Sequence, residues 1–145
     1  METLLISACL MGFHCKYNGG SNALPEDVLC ALRQKYHLIP VCPEVAGGLP
    51  TPRVPSERRG NKVVNREGQD VTASFQRGAR LAATLAERFD ARLALLKSNS
   101  PSCGSGTIYD GSFSGRLVSG DGVAAEYLKN KNLTVFVNHS TLLAE

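Results

Sequence analysis

Residues 2–10, ETLLISACL, begin with the apolar run Leu4-Leu5-Ile6 and close on the small residues Ser7, Ala8 and Cys9. An apolar run without polar alternation suits a strand buried on both faces, as in the parallel sheets of α/β proteins. Three more short runs follow downstream: HLIPV at 37–41, RLALLK at 92–97 and LTVFVN at 133–138. Helical stretches separate them. Pro25 opens the first at its preferred first-turn position, with Glu26 and Asp27 at the positive helix start. Val28, Ala31, Leu32 and Lys35 form its expected inward stripe, and Cys30 points elsewhere. The clearest helix is capped by Asp70 or Thr72 and repeats Phe75, Ala79, Ala82, Ala86 and Phe89 at helical spacing. A third helix is expected over 123–130, and STLLAE at 140–145 forms a short terminal one. Strands alternating with helices predict an α/β fold, a single three-layer domain over residues 1–145 with a mostly parallel, Rossmann-like sheet.

Two segments break the alternation. PVCPEVAGGLPTPR, residues 40–53, carries four prolines and a glycine pair, which excludes a helix or a central strand and predicts a shaped loop. That loop continues to about Gln69, with a brief hairpin expected around KVVNREGQDV at 62–71. IYDGSFSGRLVSGDG at 108–122 is a glycine-punctuated stretch.

The chain's 145 residues suffice for one domain with a real apolar core. A net charge of +3 permits an anionic small ligand but does not resemble a nucleic-acid binder. Arg53, Arg58, Arg59, Lys62 and Arg66 nevertheless cluster, offset only by Glu57 and Glu67. No apolar stretch has the length of a membrane span, and METLLISACLMGF lacks the marks of a signal peptide. A cytoplasmic location is therefore expected. Five cysteines, an odd number, fit reduced thiols or a metal site better than a disulfide framework.

Cys9, Cys42 and Cys103 each fall just past the carboxyl end of an expected strand. In open parallel sheets those ends share one edge, and ligands bind in the crevice outside them. The three thiols are thus expected to converge. No CxxC pair and no CxxCxxC run is present, so neither the usual structural zinc spacing nor the bacterial ferredoxin spacing applies. Three solutions stand. One is zinc with Cys15 or His14 as fourth ligand. Another is a cubane iron–sulfur cluster on three thiolates with one iron open. The third is a metal-free enzyme with Cys103 as nucleophile. Glu44, two residues past Cys42, and Ser100, three before Cys103, are the candidate proton-handling and orienting groups. Cys30, His37 and His139 carry no partner signal, and Ser102 reads as a turn residue.

SACLMGFHCKYNGG (7–20), PVCPEVAGGLPTPR (40–53), GQDVT..F..GA (68–79), LLKSNSPSCGSGTIYDGSFSG (95–115) and GDGVAAEYL (120–128) occur in this order. Together they resemble the thiouracil desulfidase family over Ile6 to Leu128. The resemblance implies a 4Fe–4S cluster bound by Cys9, Cys42 and Cys103, with the fourth iron free for the sulfur of a thiolated pyrimidine. It also implies that Glu44 and Ser100 act in catalysis. Implied substrates are thiouracils and, for stand-alone members, 4-thiouridine 5′-monophosphate, converted to the oxo-pyrimidine and sulfide. Some relatives carry an additional carboxy-terminal domain and act on thiolated tRNA. This chain resembles the small-molecule branch, with no nucleic-acid or membrane partner expected. A nucleotide phosphate is expected to meet the Arg53–Arg66 loop or the backbone amides of SCGSG at 102–106.

Overall fold

The computed structural model describes residues 1–145. In chain order the elements are β1 (Glu2–Ser7), a 3-10 turn (Ala8–Met11), α1 (Glu26–Lys35), β2 (Tyr36–Val41), α2 (Pro43–Ala46), β3 (Ser56–Arg59), β4 (Lys62–Asn65), α3 (Thr72–Arg88), β5 (Leu93–Leu95), β6 (Thr107–Tyr109), β7 (Leu117–Ser119), α4 (Val123–Asn130), β8 (Thr134–Phe136) and α5 (His139–Leu143). Four strands form an all-parallel sheet in the order β2-β1-β5-β8. Leu5 lies opposite Ile39 on one side and Ala94 on the other. Two antiparallel hairpins, β3-β4 and β6-β7, stand apart from this sheet.

Side chains alternate across β1 as the pleat requires. Leu4 and Ile6 face one layer with Leu95, packed on Leu29, Leu32, Tyr36 and Leu142. Leu5, Ala94 and Leu96 face the other, packed on Ala82, Ala86, Ala125 and Leu128. The first layer is α1 with α5, and the second is α3 with α4. Leu4, Leu5 and Ile6 are fully buried, each worth about 2 kcal/mol of transfer free energy. The three-layer α/β expectation and the sheet it rests on are what the structure contains.

Several local expectations shift. The inward residues of α1 are Leu29 and Leu32, and Lys35 is exposed, its ammonium donating to the Glu145 carbonyl. Phe89 ends the α3 stripe in solvent because it is already the C-cap of the helix, 47% exposed. The α3 cap is Val71, and Asp70 instead accepts the Thr72 N–H at 2.9 Å in a local turn. Pro43 starts a single helical turn where only loop was expected, because proline is well suited to the first helical position. The first hairpin pairs 56–59 with 62–65, earlier than expected. KVVNREGQDV forms its second strand and a tight return, closed by the Val64–Asp70 bridge. No helix is long and apolar enough to cross a membrane.

Candidate active site

The sheet order makes β1 the point where the connections part. From β1 the chain turns outward to β2, then crosses back beneath α3 to β5 on the other flank of β1. The loops after β1 and β5 therefore diverge and leave a crevice above the strand ends. A cavity of about 490 Å³ fills that crevice. Cys9 in the turn after β1, Cys42 between β2 and α2, and Cys103 after β5 all line it, joined by Cys15. All five cysteines are free thiols. Cys30 lies exposed on α1, away from the cavity.

The surroundings of the sulfurs are polar and ordered. The buried Ser7 hydroxyl donates to Cys103 Sγ at 3.3 Å and accepts the Lys97 N–H at 2.9 Å, so the end of β1 is tied to the loop after β5. Burial pushes the Cys103 thiol up to about 12, against the pull of the Ser7 and Ser102 hydroxyls, and Glu44 and Cys42 push it further. Burial also raises Cys9, against a hydrogen bond from Asn22, and raises Cys15 to about 12 with the help of neighbouring Cys42. A buried thiol beside a carboxylate lacks the accessible, electropositive setting that activates a nucleophile, which argues against a metal-free mechanism on Cys103.

The donor set also separates the metal options. No three His, Cys, Asp or Glu side chains converge tightly enough to hold one metal ion. His14 does not line the cavity; its Nδ1 lies 3.2 Å from the Gly19 carbonyl oxygen. A single tetrahedral zinc is therefore a poor match. Three soft sulfur donors spread around one roomy cavity, with the Ser7 hydroxyl donating to the Cys103 sulfur, suit a larger iron–sulfur unit.

The proton-handling groups meet on the same wall. Glu44 sits in the first turn of α2, and Ser100 precedes Cys103 by three residues. Glu44 Oε1 accepts Arg53 Nε at 3.0 Å, and its Oε2 accepts the Ser102 hydroxyl at 2.8 Å. Ser100 Oγ accepts the backbone N–H of Ser102 at 3.1 Å and of Cys103 at 3.0 Å, and lies 3.0 Å from Ser102 Oγ. With Ser102 donating to Glu44, the Ser100 hydroxyl donates to Ser102, giving a continuous chain from Ser100 to the carboxylate. Ser102, 3% exposed, sits in the turn expected for it, and its side chain is in addition a bridge to Glu44. Its partner lies 58 positions away, and local sequence carries no sign of it.

Arg53 likewise has a role that sequence missed. Nη1 donates to Pro50 and Thr51, Nη2 to the Cys15 carbonyl and Nε to Glu44, so every nitrogen is engaged inside the fold. Arg58 is tied to Gly60, Asp121 and Glu126, and Arg59 to Gly111. The amides of Ser102, Cys103, Gly104 and Gly106 are engaged as well. Of the basic run, Arg66 lines the cavity with a side chain that makes no hydrogen bond in the fold, its guanidinium over Phe113, and Lys16 lines it from the first loop.

Residues 4–140 match the model of the 2-thiouracil desulfurase family. The chain belongs to that family. A Bacillus subtilis (strain 168) relative, the uncharacterized protein YbbK, is 40% identical in an alignment that covers 91% of this chain and 93% of the relative. Among solved structures, the 4Fe–4S-dependent thiouracil desulfidase TudS (DUF523Vcz) superposes with a TM-score of 0.93 at 46% identity. The superposition covers 99% of this chain and 96% of that one. Desulfurase-family membership therefore rests on nearly the whole chain, cavity walls included.

Proposed function

We propose that this 2-thiouracil desulfurase family member is a thiopyrimidine desulfidase. In it Cys9, Cys42 and Cys103 hold a 4Fe–4S cluster with one iron left without a protein ligand. The observation that carries this is the shared cavity, lined by three strand-end thiols together with Glu44, Ser100 and Ser102. Such a cluster, when bound, supplies a soft Lewis acid suited to a thiocarbonyl sulfur and able to polarise the C=S bond.

The chain's own groups do the rest. Arg53 fixes Glu44 from one side and Ser102 from the other, leaving the carboxylate oriented to hold a water and take its proton. Water adds at the ring carbon, the C–S bond breaks, and the products are the oxo-pyrimidine and hydrogen sulfide. Atoms balance and no electrons are exchanged. Ser100 positions the ring and passes a proton through Ser102 to or from Glu44.

For the substrate, 4-thiouridine 5′-monophosphate fits beside free thiouracil, because the Arg66 and Lys16 side chains offer charge at the cavity that no carboxylate of the fold pairs. Nucleotide salvage in the cytoplasm is the matching setting, since free thiols persist in reducing compartments.

The test is anaerobic purification followed by iron, acid-labile sulfide and zinc analysis and by sulfide release from 2-thiouracil, 4-thiouridine and its monophosphate. Expected are brown protein, sulfide release, and loss of both on changing Cys9, Cys42 or Cys103 to Ala. Arg66→Ala is expected to raise KM for the monophosphate more than for thiouracil. Colourless protein with stoichiometric zinc and no sulfide release overturns the proposal.

A further inference from the structure

Phe113 occupies an odd place. It is the one apolar side chain in the turn Asp110–Arg116 between β6 and β7, and it belongs to neither core layer. Its ring instead lines the cavity. Its φ is 58°, a left-handed conformation that bulky aromatic residues rarely adopt. A residue persists there only when its surroundings over-determine it.

They do. Glu57, on the other hairpin, accepts both the Gly111 N–H and the Phe113 N–H on a single carboxylate oxygen, each at 3.0 Å. Arg59 Nε donates to the Gly111 carbonyl at 2.6 Å. The Arg66 guanidinium lies over the Phe113 ring, 5.6 Å from its centroid. Three residues of the first hairpin and its return thus hold one ring of the second at the cavity. A solvated turn tip needs none of this.

Resting on the desulfidase reading, we infer that Phe113 is the platform on which the substrate's flat heterocycle stacks. Glu57 fixes the height of the ring. Arg66 stands over one face, and the opposite face is the one offered to the heterocycle. Stacking tolerates different substituents because every pyrimidine has a π-face. It also separates substrate classes: planar heteroaromatic thiones gain the contact, whereas acyclic thioamides such as thiourea, which offer the same C=S bond, do not.

The experiment compares Phe113→Leu, which keeps apolar bulk without a π-face, with Phe113→Tyr, which keeps the face. Both are made in anaerobic holoprotein. Phe113→Leu is expected to raise KM for 2-thiouracil roughly tenfold with kcat little changed, and Phe113→Tyr to restore the wild-type value. Calorimetric titration with uracil, which has no sulfur and undergoes no turnover, is expected to show the same weakening. Thiourea kinetics are expected to be alike in all three proteins. Absence of sulfide release by the wild type counts against the desulfidase reading, while the uracil titration still reads the platform. The inference is overturned if Phe113→Leu keeps uracil affinity and thiouracil KM within twofold of wild type, or if Tyr fails to restore what Leu removes.

Discussion

The two faces of the sheet are built on opposite rules. Toward α1 and α5 the buried set is six leucines with Ile6 and Tyr36, and no alanine. Toward α3 and α4, five of the ten buried residues are alanine. Bulky side chains hold helices away from a sheet and supply burial, whereas small ones let backbones approach. On the alanine face the approach becomes contact. A Cβ on Gly78 of α3 would run into the Pro43 carbonyl, one on Gly47 into the Ser74 carbonyl, and one on Gly122 into the backbone of Ser102 and Cys103. Each of these contacts touches a segment that carries Cys42 and Glu44 or Ser100 and Cys103. One face supplies bulk, against which Cys9 also packs, and the other sets the segments of Cys42 and Cys103 by direct main-chain contact.

Gly78→Ala attacks the second rule and is expected to have the largest effect. It costs about 3 kcal/mol through overpacking and displaces α2, with cluster content and sulfide release falling together. Chemical denaturation read beside iron analysis checks it. Leu32→Ala attacks the first rule. Truncating this fully buried leucine costs about 3 kcal/mol by denaturant midpoint. Sulfide release per cluster at low temperature stays near wild type, which distinguishes bulk from alignment. If Leu32→Ala lowers activity per cluster as Gly78→Ala does, the division between the faces fails.

Ser102→Ala sharpens the comparison within the site. It leaves Glu44 held by Arg53 alone and breaks the chain to Ser100, so kcat is expected to fall about tenfold or more at nearly constant KM, with Ser102→Thr partly restoring it. The smallest effect concerns Asp121, which accepts the Gly106 N–H and the Lys129 ammonium beside the loop after Cys103. Partial burial pushes its pKa up, but the Gly106 amide, Lys129 and Arg58 outweigh this and hold it below the ordinary aspartate range. A depressed carboxyl contributes stability above its unfolded value and loses it as pH falls through the folded one. Asp121→Asn should therefore cost less than about 1 kcal/mol at pH 7 and flatten the stability profile below about pH 4, measured by thermal unfolding across pH.

The four sheet strands were legible because both of their faces are apolar, which leaves uninterrupted runs such as Leu4-Leu5-Ile6 and ALL at 94–96. The convergence of Cys9, Cys42 and Cys103 was legible for a topological reason: parallel strands bring their carboxyl ends to one edge whatever lies between them. The β6-β7 hairpin was not, since Leu117, Val118 and Ser119 are all exposed and no alternation marks them. Ser102 and Arg53 were hidden for another reason. Their work depends on Glu44 approaching across α2 and α3, and that approach is set by glycines whose spacing carries no hydrophobic signal. Phe89 misled because a helical stripe does not announce where the helix stops.

The switch at β1 has a consequence for biosynthesis. Cys9 and Cys42 emerge early from the ribosome, but Ser7 finds Cys103, and Gly122 closes on the SPSCG loop, only when about five-sixths of the polypeptide exists. On the proposed three-thiolate ligation, inorganic loading is a late event, and factors that deliver iron would meet an almost finished tertiary structure rather than a nascent chain.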